Sequence, residues 1–376
     1  MNEIRMVDLA TQYERIKPEI DKAVLDVLQS TAFINGPEVK AFQSELENYL
    51  DVKHVIPCAN GTDALQVALM ALELEPGDEI ITSDFTFAAT IEVVDLLKLK
   101  SVIIDVDKDT FCLSIDALKK AITPRTKAII PVHLFGQCAN MEAIMEVAKE
   151  HNLFVVEDTA QAIGATYTFA DGSTHAAGTM GDIGTTSFFP SKNLGCYGDG
   201  GAIFTNNDKL AGIMRSVVNH GMGERYYYER IGVNSRLDSI QAAVLRIKLR
   251  HLDEYIASRQ KAAAYYDEFF STMNNVHIPA RDANSTHVFH QYTLVFDEVD
   301  QFALQQHLSS KGVPAMIYYP VPLHSQKAYG AENYNDSDFP VTNSLCKTVI
   351  SLPMHTELND EQLAYICQSV KAYFEK

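Results

Sequence analysis

Val155-Val-Glu-Asp-Thr-Ala-Gln161 and, further on, Ser187-Phe-Phe-Pro-Ser-Lys-Asn-Leu-Gly-Cys-Tyr-Gly-Asp-Gly-Gly201 are the two stretches on which the fold turns. The first closes a short apolar run with an acidic residue, Asp158, as a buried strand does at the rim of a sheet. The second encloses one lysine, Lys192, among apolar residues, a proline and glycines, where a solvated lysine would have polar neighbours.

Similar apolar runs recur on both sides. Glu79–Ser83, Ser101–Asp105, Lys127–His133, Leu153–Glu157, Ile183–Phe188 and Gly201–Thr205 read as buried strands. Helical spacing of apolar residues lies between several of them, at Asp63–Leu72, Ile115–Ala121 and Met141–His151. Strands apolar throughout and separated by helices predict an α/β fold with a mostly parallel sheet covered on both faces. Two helices precede it, near Tyr13–Gln29 and from Pro37 to Tyr49, the second with proline at its first position. From Leu237 to about Met273 no Pro or Gly interrupts the helical spacing, which predicts one long or bent helix. Beyond it, strands at His287–Phe296, Val313–Tyr319 and Val349–Leu352 and helices at Gln301–Ser310 and Glu361–Phe374 form a smaller α+β unit. The domains are drawn at 1–245, large, and 246–376, small and C-terminal.

At 376 residues, two domains of about 150 residues or more are expected. A net charge of −18 with no basic run argues against nucleic-acid binding, because phosphate neutralisation needs clustered Lys and Arg. Six scattered cysteines without a CxxC pair predict a reduced, cytoplasmic protein. The N-terminus lacks signal-peptide regions, and no run approaches the ~18 apolar residues of a membrane span. His133, His220, His324 and His355 share no spacing, so no metal site is expected.

Ligands of an open α/β sheet gather at the carboxyl ends of its strands, and several polar residues fall there. A lysine able to form an imine, with a carboxylate at a strand end, meets the needs of pyridoxal phosphate: Lys192 as anchor, Asp158 as partner of the ring nitrogen. Asp158 alone could equally be a helix cap. Ala59-Asn-Gly-Thr-Asp-Ala-Leu65 opens directly into a helix, so its free N–H groups and the Thr62 hydroxyl make a phosphate cradle, or an ordinary capped helix. Ser187 could add a hydroxyl. Phe87 could stack on a flat ring, whereas Phe85 reads as core. Gln161, three residues past Asp158, could reach the cofactor's phenolic oxygen.

Asn60-Gly-Thr-Asp-Ala-Leu65, Glu157-Asp-Thr-Ala-Gln161, Ser187-Phe-Phe-Pro-Ser-Lys192 and Gly232-Val-Asn-Ser-Arg-Leu-Asp238 occur in order. Together they resemble the pyridoxal-phosphate nucleotide-sugar aminotransferases of the aspartate-aminotransferase fold (fold type I), across essentially the whole chain. The resemblance implies a homodimer with shared active sites. Gly61, Thr62 and Ser187 would hold the phosphate, and Asn234 would reach in from the neighbouring subunit. L-Glutamate would donate the amine, 2-oxoglutarate would leave, and a keto-sugar nucleotide would accept it. Related dehydratases have histidine at the anchor position; Lys192 argues for transamination.

Cys58–Leu65, Ala121–Pro131, Gly136–Ala139 and Leu194–Gly201 look most like the branch acting on UDP-2-acetamido-2-deoxy-3-oxo-glucuronate for surface polysaccharide, O-antigen or capsule. Arg236 would then clamp a substrate carboxylate, or else form a structural ion pair. Where that branch tends to have His-Tyr before Pro, this chain reads Ile317-Tyr-Tyr-Pro320, so Tyr318, Tyr319 and His324 are expected at the substrate. A 4-keto dTDP- or UDP-sugar is the alternative substrate. A non-catalytic protein that keeps the fold to sense cofactor is the alternative from another class.

Overall fold

The computed structural model describes residues 3–330 and 333–375. In chain order, α1 (Leu9–Ser30) and α2 (Pro37–Leu50) precede β1 (His54–Cys58), α3 (Gly61–Ala71), β2 (Glu79–Ser83) and α4 (Ala89–Leu96). Then follow β3 (Lys100–Ile104), α5 (Ile115–Ala121), β4 (Thr126–Ile130), α6 (Met141–His151) and β5 (Phe154–Asp158). A hairpin of β6 (Thr166–Thr168) and β7 (Thr174–Ala176) leads to β8 (Ile183–Ser187), β9 (Gly201–Thr205) and α7 (Asp208–Val217).

Seven of these strands form one sheet in the order β1-β9-β8-β5-β4-β2-β3. Strand β9 runs antiparallel to both its neighbours, and β8 through β3 are parallel. Every residue of β2 and β9 is buried, the burial expected of strands covered on both faces. The strand β1 was not evident in the sequence. Its Pro57 fits an edge, where a missing N–H costs no ladder bond. Asparagine and serine side chains start the covering helices: Ser114 accepts from Ala117 N–H ahead of α5, and Asn140 from Ala143 N–H ahead of α6.

A hairpin of β10 (Met222–Glu224) and β11 (Tyr227–Tyr228) comes next, with Tyr226, Tyr227 and Tyr228 exposed. The long helix of the sequence reading is two helices, α8 (Ser239–Leu249) and α9 (Leu252–Phe270), parted at His251, where ψ is 0°. Ile16 and Ile20 of α1 pack on Val244 and Ile247 of α8, and Arg246 bridges Glu38 and Glu45 of α2. Helix α9 instead buries Tyr266 and Phe270 among residues of the C-terminal unit.

That unit holds a three-stranded antiparallel sheet of β12 (Val276–His277), β13 (Tyr292–Phe296) and β14 (Val349–Leu352), with α10 (Gln301–Ser310), α11 (Pro340–Thr348) and α12 (Asp360–Phe374). Two expected strands are shorter than their sequence patterns. Before Tyr292 the chain is irregular, because Phe289 turns to φ 48°. Over Val313–Tyr319 only Met316 pairs, exchanging both backbone bonds with Ser351. The alternating burial of Val313, Ala315 and Ile317 mimics a strand, but Pro314 cannot donate to a ladder.

Candidate active site

A cavity of about 860 Å³ opens at the carboxyl ends of the parallel strands, between the large sheet and the segments 290–291 and 317–320. Lys192 and Asp158 both line it. Asp158 ends β5 and is locked from both sides. Its backbone donates to Pro131 C=O at 2.9 Å and accepts from His133 N–H at 3.0 Å. The Thr90 hydroxyl donates to one carboxylate oxygen at 2.9 Å, and Ala160 N–H to the other at 3.1 Å. All its donors are neutral, so the carboxylate charge is oriented and not cancelled.

Lys192 is half-buried in the turn between β8 and β9. Its ammonium has no ion pair among the described residues. Desolvation lowers its pKa to about 8, with the Asp158 charge pulling the other way. A lysine in that state is a nucleophile near neutral pH.

Helix α3 begins at the cavity wall. The Asn60 side chain caps it by accepting from Asp63 N–H at 2.8 Å. The N–H groups of Gly61 and Thr62 are left without an acceptor among the described residues. A Cβ on Gly61 would stand 2.7 Å from Ser187 Cβ, so only glycine lets this helix start approach the serine. Gly61, Thr62 and Ser187 thus meet at one wall. Phe87 stands in the cavity, 58% exposed, while Phe85 is buried against Phe111, Phe135 and Tyr319.

Opposite, the Gln161 amide is oriented by two bonds. Its oxygen accepts from Phe135 N–H at 2.8 Å, and its nitrogen donates to the Tyr319 hydroxyl at 3.2 Å. Tyr318 and Tyr319 both line the cavity, and burial pushes both phenols up.

Three expected residues lie elsewhere. His324 is 1% exposed and does not line the cavity. Its Nδ1 meets Asp84 at 2.7 Å, its Nε2 meets Asp336 at 3.1 Å, and Phe339 stacks on its ring at 4.1 Å. The expectation that it touches substrate is therefore corrected: both ring nitrogens are engaged. Asn234 and Arg236 sit on the loop after β11, outside the cavity of their own chain. Arg236 has no ion pair among the described residues of its own chain. In turn the cavity holds residues that no motif marked, Phe135, His290 and Gln291, and two, Thr86 and Asp199, that lay inside marked stretches without being singled out. Thr90, the donor to Asp158, stands seven residues past Ser83 with nothing local to single it out.

The residues present fit pyridoxal phosphate. A bare helix start narrowed by an obligatory glycine suits a phosphate. An uncancelled carboxylate suits a protonated ring nitrogen, and an unpaired, desolvated lysine suits an imine. On a doubly covered sheet of this topology, that chemistry makes the protein a pyridoxal-phosphate enzyme of fold type I. The sequence profile of the DegT/DnrJ/EryC1/StrS aminotransferase family matches residues 14–371, and the chain belongs to that family.

It is 42% identical over 373 residues to a pleiotropic regulatory protein of Geobacillus stearothermophilus, covering 99% of this chain and 98% of that one. It is 44% identical over 367 residues to UDP-2-acetamido-2-deoxy-3-oxo-D-glucuronate aminotransferase of Pseudomonas aeruginosa, covering 98% and 99%. Among solved structures, S. venezuelae DesV in complex with a ketimine intermediate matches with TM-score 0.95 at 36% identity, over 100% of both chains. No helix of the described residues is long and apolar enough to cross a membrane.

Proposed function

We propose that this aminotransferase moves an amino group from L-glutamate to the 3-keto carbon of a UDP-linked 2-acetamido-2-deoxy-3-oxo-glucuronate, supplying an amino sugar for surface polysaccharide from the cytoplasm. The observation that carries this reading is the 44% identity, end to end, with the P. aeruginosa enzyme of that name.

Bound pyridoxal phosphate supplies the electron sink that stabilises a carbanion next to the transferred nitrogen. The chain's own residues do the rest. Gly61 and Thr62 N–H groups and the Ser187 hydroxyl would hold the phosphate. Phe87 would stack on the ring. Asp158, aimed by Thr90 and Ala160, would keep the ring nitrogen protonated. Gln161 would contact the phenolic oxygen. Lys192 would anchor the cofactor, and its freed amine would act as base and acid, carrying a proton on Nζ. Its pKa of about 8 keeps a usable share uncharged near neutrality.

Tyr318 and Tyr319 form the wall on which the sugar rests. Both substrates are anionic, yet Lys192 is the cavity's one lysine or arginine among the described residues. A second copy of the chain completes the site in this reading, bringing the exposed Asn234 and the half-buried Arg236, with the Arg236 guanidinium available for a carboxylate.

The test offers purified protein each keto-sugar nucleotide with glutamate and follows 2-oxoglutarate. The 3-keto uronate is expected to turn over. Turnover only with a 4-keto dTDP- or UDP-sugar would assign the chain to that substrate. The relative named a regulatory protein favours a second reading, a cofactor-binding sensor. Cofactor binding with no 2-oxoglutarate from glutamate alone would establish that one.

A further inference from the structure

One histidine in the cavity wall has no task in the mechanism above. His290 lines the cavity together with Lys192 and is 6% exposed. It sits on the irregular run 287–291 that leads into β13, and the backbone of that run is pinned from several directions. Val288 donates to Gly136 C=O at 2.8 Å and Gln291 to Phe135 C=O at 3.3 Å. The buried Arg259 guanidinium donates to the carbonyls of Phe289, at 3.0 Å, and His290, at 3.3 Å. The Asn193 side-chain amide donates to Val288 C=O at 2.9 Å. The residue after Lys192 is thus bonded to the residue two before His290, which sets the spacing between lysine and histidine.

The ring, by contrast, is left free. His290 Nδ1 has no hydrogen-bond partner among the described residues, and Nε2 stands 3.5 Å from the Gln291 side-chain amide, whose oxygen, with the amide turned over, accepts from Nε2–H and leaves Nδ1 the bare acceptor. Burying an unpaired polar group is unfavourable, and an apolar residue of similar size would avoid that cost. Nor does the ring take up a charge. Burial, first, and then the charges of Lys192 and Arg259 hold its pKa well below the usual histidine value. A histidine that stays neutral is a hydrogen-bonding group, and the cation it faces is Lys192.

We propose that His290 is a positioning residue for Lys192: its uncharged ring offers an acceptor nitrogen to the lysine amine and holds that amine while it carries the proton. No bond forms or breaks at the histidine, and the proton remains on Lys192 Nζ. The inference rests on the reading of Lys192 as anchor and proton carrier. The other titratable groups of the cavity wall are Asp158 at the end of β5, whose charge acts on Lys192, Asp63 of α3, Asp199 of the turn before β9, and Tyr318 and Tyr319, while Arg259 donates to the His290 carbonyl.

Removing an acceptor from beside an ammonium lowers the pKa of that ammonium. The experiment strips the full-length protein of cofactor, adds pyridoxal phosphate back across a pH series, and follows the cofactor's absorbance. In parallel, 2-oxoglutarate release from glutamate is measured on the holoenzyme. Wild-type capture should rise with pH through a midpoint near 8. In His290→Leu the midpoint should fall by about one unit, making capture at pH 7 up to ~10-fold faster, while 2-oxoglutarate release slows by about tenfold.

The opposite signs matter, because general damage to the site would slow both. His290→Asn, neutral and still able to hydrogen-bond, should bring both rates back toward wild type. An unmoved midpoint, a parallel loss of both rates, or an asparagine variant no closer to wild type than leucine would overturn the proposal. If the leucine variant does not fold, His290→Phe takes its place under the same criteria. Borohydride-fixable capture by Lys192→Ala would instead overturn the anchor assignment, which separates the two failures.

Discussion

The two ends of the central sheet treat charge in opposite ways. At the amino end, Glu79 opens β2 with a buried carboxylate. Lys100 Nζ bonds it at 3.0 Å, Arg125 Nη2 at 2.8 Å, and the Thr123 hydroxyl as well. Both cations spread into solvent, 54% and 66% exposed, so the cluster is satisfied and stays wet on its outer side. At the carboxyl end Asp158 meets neutral donors only, and Lys192 has no counter-charge among the described residues. Cancelled charge holds strands together, whereas uncancelled charge is held ready for a ligand. Hydrogen bonds and backbone locks fix these groups in place without neutralising them.

The comparison is tested most severely by Lys192→Ala. The cradle, Phe87 and Asp158 remain, so the variant should fold and bind pyridoxal phosphate noncovalently while transamination drops by ~10³-fold or more. Release of 2-oxoglutarate at the wild-type rate would mean that the uncancelled lysine is not the working group.

Gly61→Ala probes the same end more gently. Its methyl would meet Ser187 Cβ at 2.7 Å, so helix start and serine must part. A cost of about 1–3 kcal/mol from overpacking is expected, with cofactor affinity falling by about tenfold, read by titration of the absorbance or fluorescence. Undisturbed affinity would remove the phosphate from this corner.

Glu79→Gln addresses the other end and should leave turnover unchanged. Burial pushes the Glu79 carboxyl up, but the bonds from Thr123, Lys100 and Arg125 together outweigh it and hold it at about 2, below its ordinary 4.5. The folded state therefore gains stability from this group above its unfolded pKa, and that gain is lost as pH falls toward 2. The glutamine variant should lose about 1 kcal/mol at neutral pH by denaturant unfolding, with the difference shrinking in acid. A loss of activity here would break the division between the two ends.

Much of this was readable in the chain, for a local reason. Asp158, Lys192, Ser187 and the Gly61–Thr62 turn each adjoin a strand or helix end, so the patterns that mark the elements also mark the rim on which they stand. The opposite wall was not readable in that way. It consists of irregular backbone at 287–291 and 317–320, held by Arg259, Asn193 and Gln161 from distant parts of the chain. There the alternating pattern of Val313–Tyr319 predicts a strand, and the tertiary environment allows one pairing, at Met316. His324 illustrates the same point. It was expected at the substrate with Tyr318 and Tyr319, yet Asp84, about 240 positions earlier, claims its Nδ1.

The sequence by itself determined six of the seven strands of the main sheet, the lysine and carboxylate that suit imine chemistry, and the family. Periodicity and short motifs express those directly, because they depend on neighbours a few residues apart. Only the tertiary structure decided which polar groups are spent and which are free. His324 and Glu79 are satisfied, while Lys192, Arg236 and the ring of His290 are not. The physical reason is that a side chain's partners are chosen by packing between segments far apart in sequence. Whether a charge or a ring nitrogen is cancelled is a property of that packing.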